Sequence, residues 1–198
     1  MLPVFPLLFA LCVLLLPAPA HTTPVKGKTP DQARHVSGYC TQHFARVERE
    51  YGIPSQLLAA IAGTESGRWD TQSQMALPWP WTINAAGKGY YFNTKHEVIT
   101  KVRQLQSQGI GSIDVGCMQV NLHHHPKAFV SISQAFTPRE NIRYAARFLR
   151  SLYNESGSWR KAVAAYHSKT QKRGRDYFAR VKKNWRRVLT AASRGQYA

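Results

Sequence analysis

One glutamate stands at the end of an apolar stretch, where its proton chemistry would be unusual. The stretch begins near Pro54, which suits a helical first turn, and ends at Gly67, which suits the position just past a helix. Glu65 would lie in the last turn, on the same face as Leu58 and Ile61. Burial and the helix C-terminus both raise a carboxyl pKa, so we predict a readily protonated group, as general acid catalysis of glycoside cleavage requires. The alternative is that Glu65 reaches solvent past a frayed helix end.

The chain is strongly basic. Its 198 residues include 27 Lys and Arg against 10 Asp and Glu, a formal net charge of +17. Such a charge predicts a polyanionic partner, for which nucleic acid is the usual inference. An export signal argues against nucleic acid as a partner and favours an anionic envelope polymer or a membrane surface. The length favours one domain with terminal extensions.

The N-terminus is typical of a secretory signal peptide. Residues 1–20 contain the apolar run from Leu7 to Leu16, and small residues then suit cleavage before His21. The run is too short to span a membrane. We therefore predict an exported mature chain, periplasmic or extracellular, without a transmembrane segment, and with a flexible lead-in at residues 21–33.

Two cysteines, Cys40 and Cys117, remain after the predicted cleavage. In an exported chain, two cysteines suggest one disulfide that closes a long loop. The alternative is a pair of unpaired buried thiols.

A run of three histidines invites a metal interpretation. His123 to His125 are adjacent and are followed by Pro126, so they are predicted to lie in a loop. Adjacent histidines cannot readily converge on one ion, and no further ligand stands four residues away. We expect no metal site and no cofactor.

The hydrophobic pattern predicts a mainly helical fold with one small β element. Apolar steps of three and four residues predict helices at residues 34–51 and at about 175–192. Capping signals predict that other helices begin at Thr94, Thr137 and Ser158.

The β element is predicted from two short aromatic segments. Residues 81–84 and 89–92 flank a turn-forming stretch that contains Gly87, which predicts a hairpin. Residues 169–198 are predicted to form a basic C-terminal helix or tail. Its cations either form a solvated face or hold the protein against an anionic polymer.

Three short motifs follow one another behind the predicted signal. They are the pair Glu65-Ser66, residues 116–121 with the sequence GCMQVN, and residues 165–168 with the sequence AYHS. Together they resemble the ordered motifs of the lysozyme-like lytic transglycosylases, the soluble lytic transglycosylase catalytic-domain family, from about residue 40 to residue 168. The chain departs from the family pattern at Cys117, where Leu is more usual, and after Tyr166, where Asn, a small residue and Gly are usual.

The resemblance implies a lysozyme-like α+β domain at residues 34–168, with the hairpin beside an active-site cleft. It implies cleavage of the bond between N-acetylmuramic acid and N-acetylglucosamine in peptidoglycan, as a lyase-type reaction. Its site would consist of Glu65 as the single acid and base, Ser66 supporting the helix end, Met118 and Gln119 lining the cleft, Asn121 fixing the adjoining turn, and Tyr166 close to Glu65. The segment around residues 79–92 is similar to members associated with secretion or conjugation machinery, so a secretion, conjugation or flagellar assembly is a candidate partner.

The small number of acidic residues near the motifs favours a mechanism that uses one carboxylate. Most glycosidases use two carboxylates that flank the bond. Asp70 and Asp114 are the acids near the motifs, and both stand beside glycines or turns where Asp more often bonds backbone. With Glu65 alone, the sugar's own 6-hydroxyl would attack C1 and give a 1,6-anhydro product. The alternatives are a hydrolytic muramidase on the same fold and a non-catalytic wall-binding scaffold.

Overall fold

The computed structural model describes residues 30–195, in which seven helices and six short strands are found. The predicted signal peptide and residues 21–29 of the lead-in lie outside this range. Residues 30–33, predicted as the end of the lead-in, form the first turn of a helix instead. The helices are α1 Pro30–Tyr51, α2 Leu57–Glu65, α3 Lys95–Ser107, α4 Ile132–Ala135, α5 Pro138–Ser156, α6 Trp159–His167 and α7 Gln171–Ser193.

The strands form two antiparallel sheets. They are β1 Arg68–Asp70, β2 Met75–Leu77, β3 Thr82–Ala85, β4 Lys88–Tyr91, β5 Ile113–Val115 and β6 Val120–Asn121. β1 pairs with β2, and the larger sheet has the order β4-β3-β5-β6. The predicted hairpin is confirmed as β3 and β4, and its two-residue turn places Ala86 and Gly87 at positive φ, as a type I′ turn requires. The mainly helical architecture with a small β element is therefore confirmed.

The main hydrophobic core lies among α1, α2, α5, α6 and α7. The side chains of α2 from Leu57 to Ala62 are all buried there, and α7 contributes Tyr177, Val181 and Val188. Because one face of α7 packs on α2 and α6, the inward half of the predicted basic helix belongs to this core. A second cluster packs the larger sheet against α3 and the segment that contains Phe136.

The helix that carries Glu65 begins later than predicted, at Leu57 instead of in a first turn containing Pro54. The reason is Gln56, whose left-handed backbone (φ 64°) prevents the helix from extending backwards. The Glu48 carboxylate of α1 accepts hydrogen bonds of 2.8 Å from the backbone amides of Gln56 and Leu58. A buried acid from another helix thus satisfies amide groups that a local cap usually satisfies.

The capping predictions have different outcomes. The Thr94 capping box is present, with Glu97 as its partner, and the Ser158 hydroxyl accepts from the amide of Lys161. The capping box predicted at Thr137 is wrong, although α5 begins there. The Thr137 hydroxyl donates to the Ser133 carbonyl and accepts from the ammonium of Lys95, so it is not available to the helix amides.

The two cysteines form a disulfide between α1 and the turn before β6. Cys40 and Cys117 are both buried and are 77 residues apart in sequence. The bond joins the first helix to the GCMQVN segment. Within residues 30–195, no helix is both long and apolar enough to cross a membrane.

Candidate functional site

A cavity of about 380 Å³ lies between the larger sheet and the α5–α6 face. Glu65 lines it at the C-terminal end of α2, and the strands contribute Asn84 and Asp114. Of the residues predicted from sequence to form the site, four line the cavity, namely Glu65, Gln119, Asn121 and Tyr166. Two do not, namely Ser66 and Met118.

Glu65 has the electrostatics of a general acid. Protein atoms surround its carboxyl except towards the cavity, and this desolvation is the largest cause that raises its pKa from 4.5 to about 7. The negative charge of Asp114 raises the pKa further. The Tyr177 hydroxyl and the Arg180 guanidinium oppose the shift but do not cancel it. At neutral pH the carboxyl is therefore close to half protonated, so it can both give and accept a proton.

Tyr177 places an unpaired hydroxyl next to Glu65. Its side chain is 1 % exposed, and the hydroxyl has no hydrogen-bond partner among the described residues. It is near enough to Glu65 to lower the pKa of that carboxyl, but it lies outside hydrogen-bonding geometry. The ring stacks on His167 with centroids 4.6 Å apart. Because its hydroxyl is otherwise unsatisfied, Tyr177 is a ready donor to the ionised carboxylate.

Asp114 brings a second carboxyl group into the same cavity. It lies on β5, directly opposite Asn121 of β6, and accepts a 2.8 Å hydrogen bond from the Asn121 amide. Burial is the main cause that raises its pKa, whereas Asn121 and the neighbouring His124 and His167 lower it. Asp70, the other acid considered from sequence, is paired with Arg34 and bonded by Ser73, away from the cavity.

The Asn121 side chain makes hydrogen bonds to the strand beside the cavity and to the loop that follows it. Its amide nitrogen donates to Asp114, and its amide oxygen accepts from the backbone amides of His123 and His124. One side chain therefore positions a carboxyl group of the cavity and the start of the histidine loop.

The turn that carries Gln119 is built around a buried asparagine. Asn141 of α5 donates to the carbonyls of Val115 and Ala135 and accepts from the amide of Met118. Gly116 has a positive φ of 77°, and a Cβ there would lie 2.7 Å from the Asn141 amide nitrogen. Only glycine therefore fits this position, because it has no Cβ and adopts a positive φ without steric cost.

Ser66 and Met118 contribute from behind the cavity wall. The Ser66 side chain is buried, and its hydroxyl accepts from the Trp79 amide. Its single proton is shared between the carbonyl of Cys117, at 2.7 Å, and that of Ala62, at 3.1 Å. Ser66 thereby ties the end of α2 to the motif turn. The Met118 side chain is fully buried in the core. Its carbonyl accepts the hydroxyl of Tyr166 at 2.8 Å, so its contribution to the site is made through the backbone.

Aromatic and histidine side chains form the wall opposite the sheet. The rings of His125 and Phe148 are 4.8 Å apart, and the Tyr144 hydroxyl lies 2.8 Å from Nδ1 of His125. Tyr166 packs on Phe148. Among the described residues, no group of three or more His, Cys, Asp or Glu is arranged to hold a metal ion. The histidine loop thus shapes one side of the cavity.

Sequence reasoning missed two of these residues and set a third aside. Tyr177 was predicted only as a core residue, because its proximity to Glu65 arises from the packing of α7 on α2. Asn141 was not singled out, since nothing local distinguishes a buried asparagine within a helix. Asp114 was set aside as a turn former. The available signal was its place two residues before Gly116, which starts the motif turn.

One comparison with known proteins gives a match. The family model described as Transglycosylase SLT domain matches residues 42–187, which include all three motifs and most of α7. No curated protein and no solved structure matches the chain.

Proposed function

We propose that this chain, which belongs to the transglycosylase SLT domain family, is a peptidoglycan lytic transglycosylase with Glu65 as its single general acid and base. The family implies a lysozyme-like fold and glycosidic-bond cleavage in peptidoglycan, outside the cytoplasm. The bond to be cleaved is the β-1,4 bond between N-acetylmuramic acid and N-acetylglucosamine.

Glu65 would act first as an acid. Its proton passes to the bridging oxygen as the bond from that oxygen to C1 of N-acetylmuramic acid breaks. A carboxyl with a pKa of about 7 holds this proton in a large share of molecules at neutral pH, whereas one with a pKa of 4.5 is almost fully ionised. The desolvated position of Glu65 is the observation that carries the proposal.

The ionised Glu65 would then act as a base. It takes the proton of the muramic 6-hydroxyl while that oxygen forms a bond to C1, which closes the 1,6-anhydro ring and regenerates the acid. The attack is intramolecular and has a proximity advantage over water. The hydroxyl of Tyr177 supports this half of the cycle, because it is placed to stabilise the carboxylate that exists between the two steps.

The mass of the products tests this proposal. The mature protein is incubated with purified peptidoglycan, and the released muropeptides are weighed and reduced with borohydride. We expect fragments lighter than hydrolysed ones by one water, with no reducible end on the muramic acid. Fragments with a reducible muramic end would refute the transglycosylase assignment.

Asp114 gives one specific reason to keep hydrolysis as a second candidate. A muramidase uses a second carboxylate to activate water or to form a covalent intermediate, and Asp114 lines the cavity with Glu65. The Asp114→Asn variant separates the two cases, because Asn retains the shape and a hydrogen-bonding oxygen. A transglycosylase keeps its anhydro product in this variant, whereas a muramidase loses most of its activity.

The biological setting is proposed from the same family membership. Peptidoglycan lies outside the cytoplasm, so we propose that the chain is exported to the periplasm or the cell exterior. The Cys40–Cys117 disulfide supports export, since disulfides persist in oxidising compartments. The proposed partner is the glycan strand, and a secretion, conjugation or flagellar assembly is a candidate setting for its cleavage. A non-catalytic scaffold is the outcome if the unmodified protein releases no fragments from peptidoglycan, whereas normal turnover in Glu65→Gln would instead show that another residue is the acid.

A further inference from the structure

A second recess lies on the molecule, formed by the C-terminal half of α7 and the β1–β2 hairpin. It has a volume of about 420 Å³ and shares no lining residue with the catalytic cavity. We name it the Arg–Trp recess after the side chains that define it, which are Trp69, Arg186, Arg187, Thr190 and Arg194.

The recess contains an exposed tryptophan. The Trp69 side chain is 51 % exposed, although buried or partly buried positions are usual for so large an apolar group. The Arg187 guanidinium lies 5.4 Å from its ring centroid and holds the ring in place from one side. A flat aromatic face beside an arginine suits a sugar ring that carries an acidic group, since the apolar face of the sugar stacks and the acid meets the guanidinium.

Three arginines converge on the same recess. Arg186 and Arg187 lie in the C-terminal half of α7, and Arg194 is the residue just past the end of that helix. None of the three forms an ion pair within residues 30–195. From Lys169 to Arg194 the chain has ten Lys or Arg and one acid, Asp176, so mutual repulsion is not relieved from within this segment. Such a cluster is stabilised by an external anion.

The fold holds the recess rigidly. Asn184 of α7 donates to the Thr64 hydroxyl, and the indole of Trp185 donates to the carbonyl of Ser55. Met75, Leu77 and Ala191 form a small cluster that packs β2 on α7. The side chains around the recess are therefore presented from two elements that are fixed relative to each other and to α2, which carries Glu65.

We propose that the Arg–Trp recess is an accessory binding site for the substrate polymer, in which guanidinium groups bind the peptide-stem carboxylates of peptidoglycan and Trp69 stacks on a sugar ring. This inference rests on the proposed function for the identity of the polymer. Planar guanidinium groups bind carboxylates through paired hydrogen bonds, which explains why arginine and not lysine lines the recess. The site anchors the enzyme on the insoluble polymer and leaves the chemistry to Glu65.

Binding to insoluble peptidoglycan tests the site. The Glu65→Gln background prevents cleavage during the assay, and binding is measured by co-sedimentation at fixed ionic strength. In this background we expect Arg186→Gln with Arg194→Gln to weaken apparent affinity about tenfold, at roughly threefold for each exposed charge contact. Trp69→Ala should also weaken it.

The matched control also removes two positive charges, but from positions on α7 outside the recess. Lys182 and Lys183 are exposed on α7 and do not line the recess. Lys182→Gln with Lys183→Gln should reduce affinity less than twofold. Equal losses in the two double variants would show that only overall charge matters, and unchanged binding in the arginine variant would also overturn the site.

Blocking the carboxylates of the peptide stems tests whether they are the groups that the recess binds. Peptidoglycan whose stem carboxylates have been converted to methylamides should bind the Glu65→Gln protein about tenfold more weakly, with no further loss from the arginine substitutions. Full binding to the blocked polymer, or tighter binding to phosphate-rich vesicles or nucleic acid than to peptidoglycan, would overturn the carboxylate assignment.

A kinetic readout separates this inference from the proposed function. With Glu65 intact, the arginine double variant should cleave short soluble glycans at the normal rate and whole peptidoglycan more slowly. If the unmodified protein cleaves neither substrate, the proposed function fails, and the sedimentation results still decide whether the recess binds the polymer.

Discussion

Replacing Glu65 by Gln should abolish activity and stabilise the fold, and the gain in stability should depend on pH. Gln is similar in shape and cannot exchange the proton, so turnover is lost. In the folded protein the pKa of Glu65 is raised to about 7 from 4.5, so the ionised form is disfavoured by the fold. Stability is therefore lost as pH rises from the unfolded pKa to the folded pKa.

The size of the effect follows from the shift. Each pKa unit corresponds to about 1.4 kcal/mol, so the ionised carboxyl costs up to about 3 kcal/mol at pH 8, about 2 kcal/mol at pH 6 and close to nothing at pH 4. The neutral amide of the variant carries no such cost. The difference in unfolding free energy between Glu65→Gln and the unmodified protein should accordingly grow by up to about 3 kcal/mol between pH 4 and pH 8.

Urea unfolding at pH 4, 6 and 8 measures this difference. A comparison across pH removes any constant contribution of the substitution, such as a changed hydrogen bond. Glu155→Gln is the control, because it makes the same substitution at an exposed position of α5. A flat difference for Glu65→Gln, or one that falls with rising pH, would refute the burial argument and with it the assignment of Glu65 as the acid.

Three further changes test the framework around Glu65. Replacing Cys40 and Cys117 by Ser should lower the unfolding free energy by up to about 4 kcal/mol in urea titration, because a 77-residue loop is no longer closed in the unfolded chain; two reactive thiols in the denatured, unreduced protein would show that the bond is absent. Tyr177→Phe should change stability little but move the alkaline limb of the kcat/KM profile to higher pH, because its hydroxyl lowers the pKa of Glu65; an unmoved limb would contradict this. Asn141→Ala should cost at least about 3 kcal/mol in the same titration, because three buried backbone groups lose their partner; a loss below about 1 kcal/mol would mean that water replaces it.

The sequence predicted the helices and the hairpin because their signals are local. The spacing of apolar residues that predicts α1 and α7 lies within each helix. The Thr94 capping box is also contained within one segment. The Ala86-Gly87 turn likewise sets the register of β3 and β4 without help from distant residues. Local signals were also sufficient to place Glu65 at the end of its helix.

The rest depended on contacts between distant segments. The cap of α2 comes from Glu48, a residue of another helix, so no local pattern reveals where α2 begins. The pairing of β5 with β3 brings Asp114 into the cavity, and a three-residue strand has too weak a pattern to be predicted alone. Met118 was placed in the cleft by its motif, yet the turn directs its side chain into the core and only its carbonyl towards Tyr166.

The last helix is part of the site as well as a carrier of charge. The boundary predicted at residues 168 and 169 separates α7 from the domain, and it remains a prediction. However, α7 supplies Tyr177 to the surroundings of Glu65, and the family match extends to residue 187. The inward face of this helix brings Tyr177 beside Glu65, where its hydroxyl lowers the pKa of the carboxyl, while its outward face carries Arg186 and Arg187 of the Arg–Trp recess. A single amphipathic helix thus links the proton chemistry of Glu65 to the surface that we propose holds the polymer.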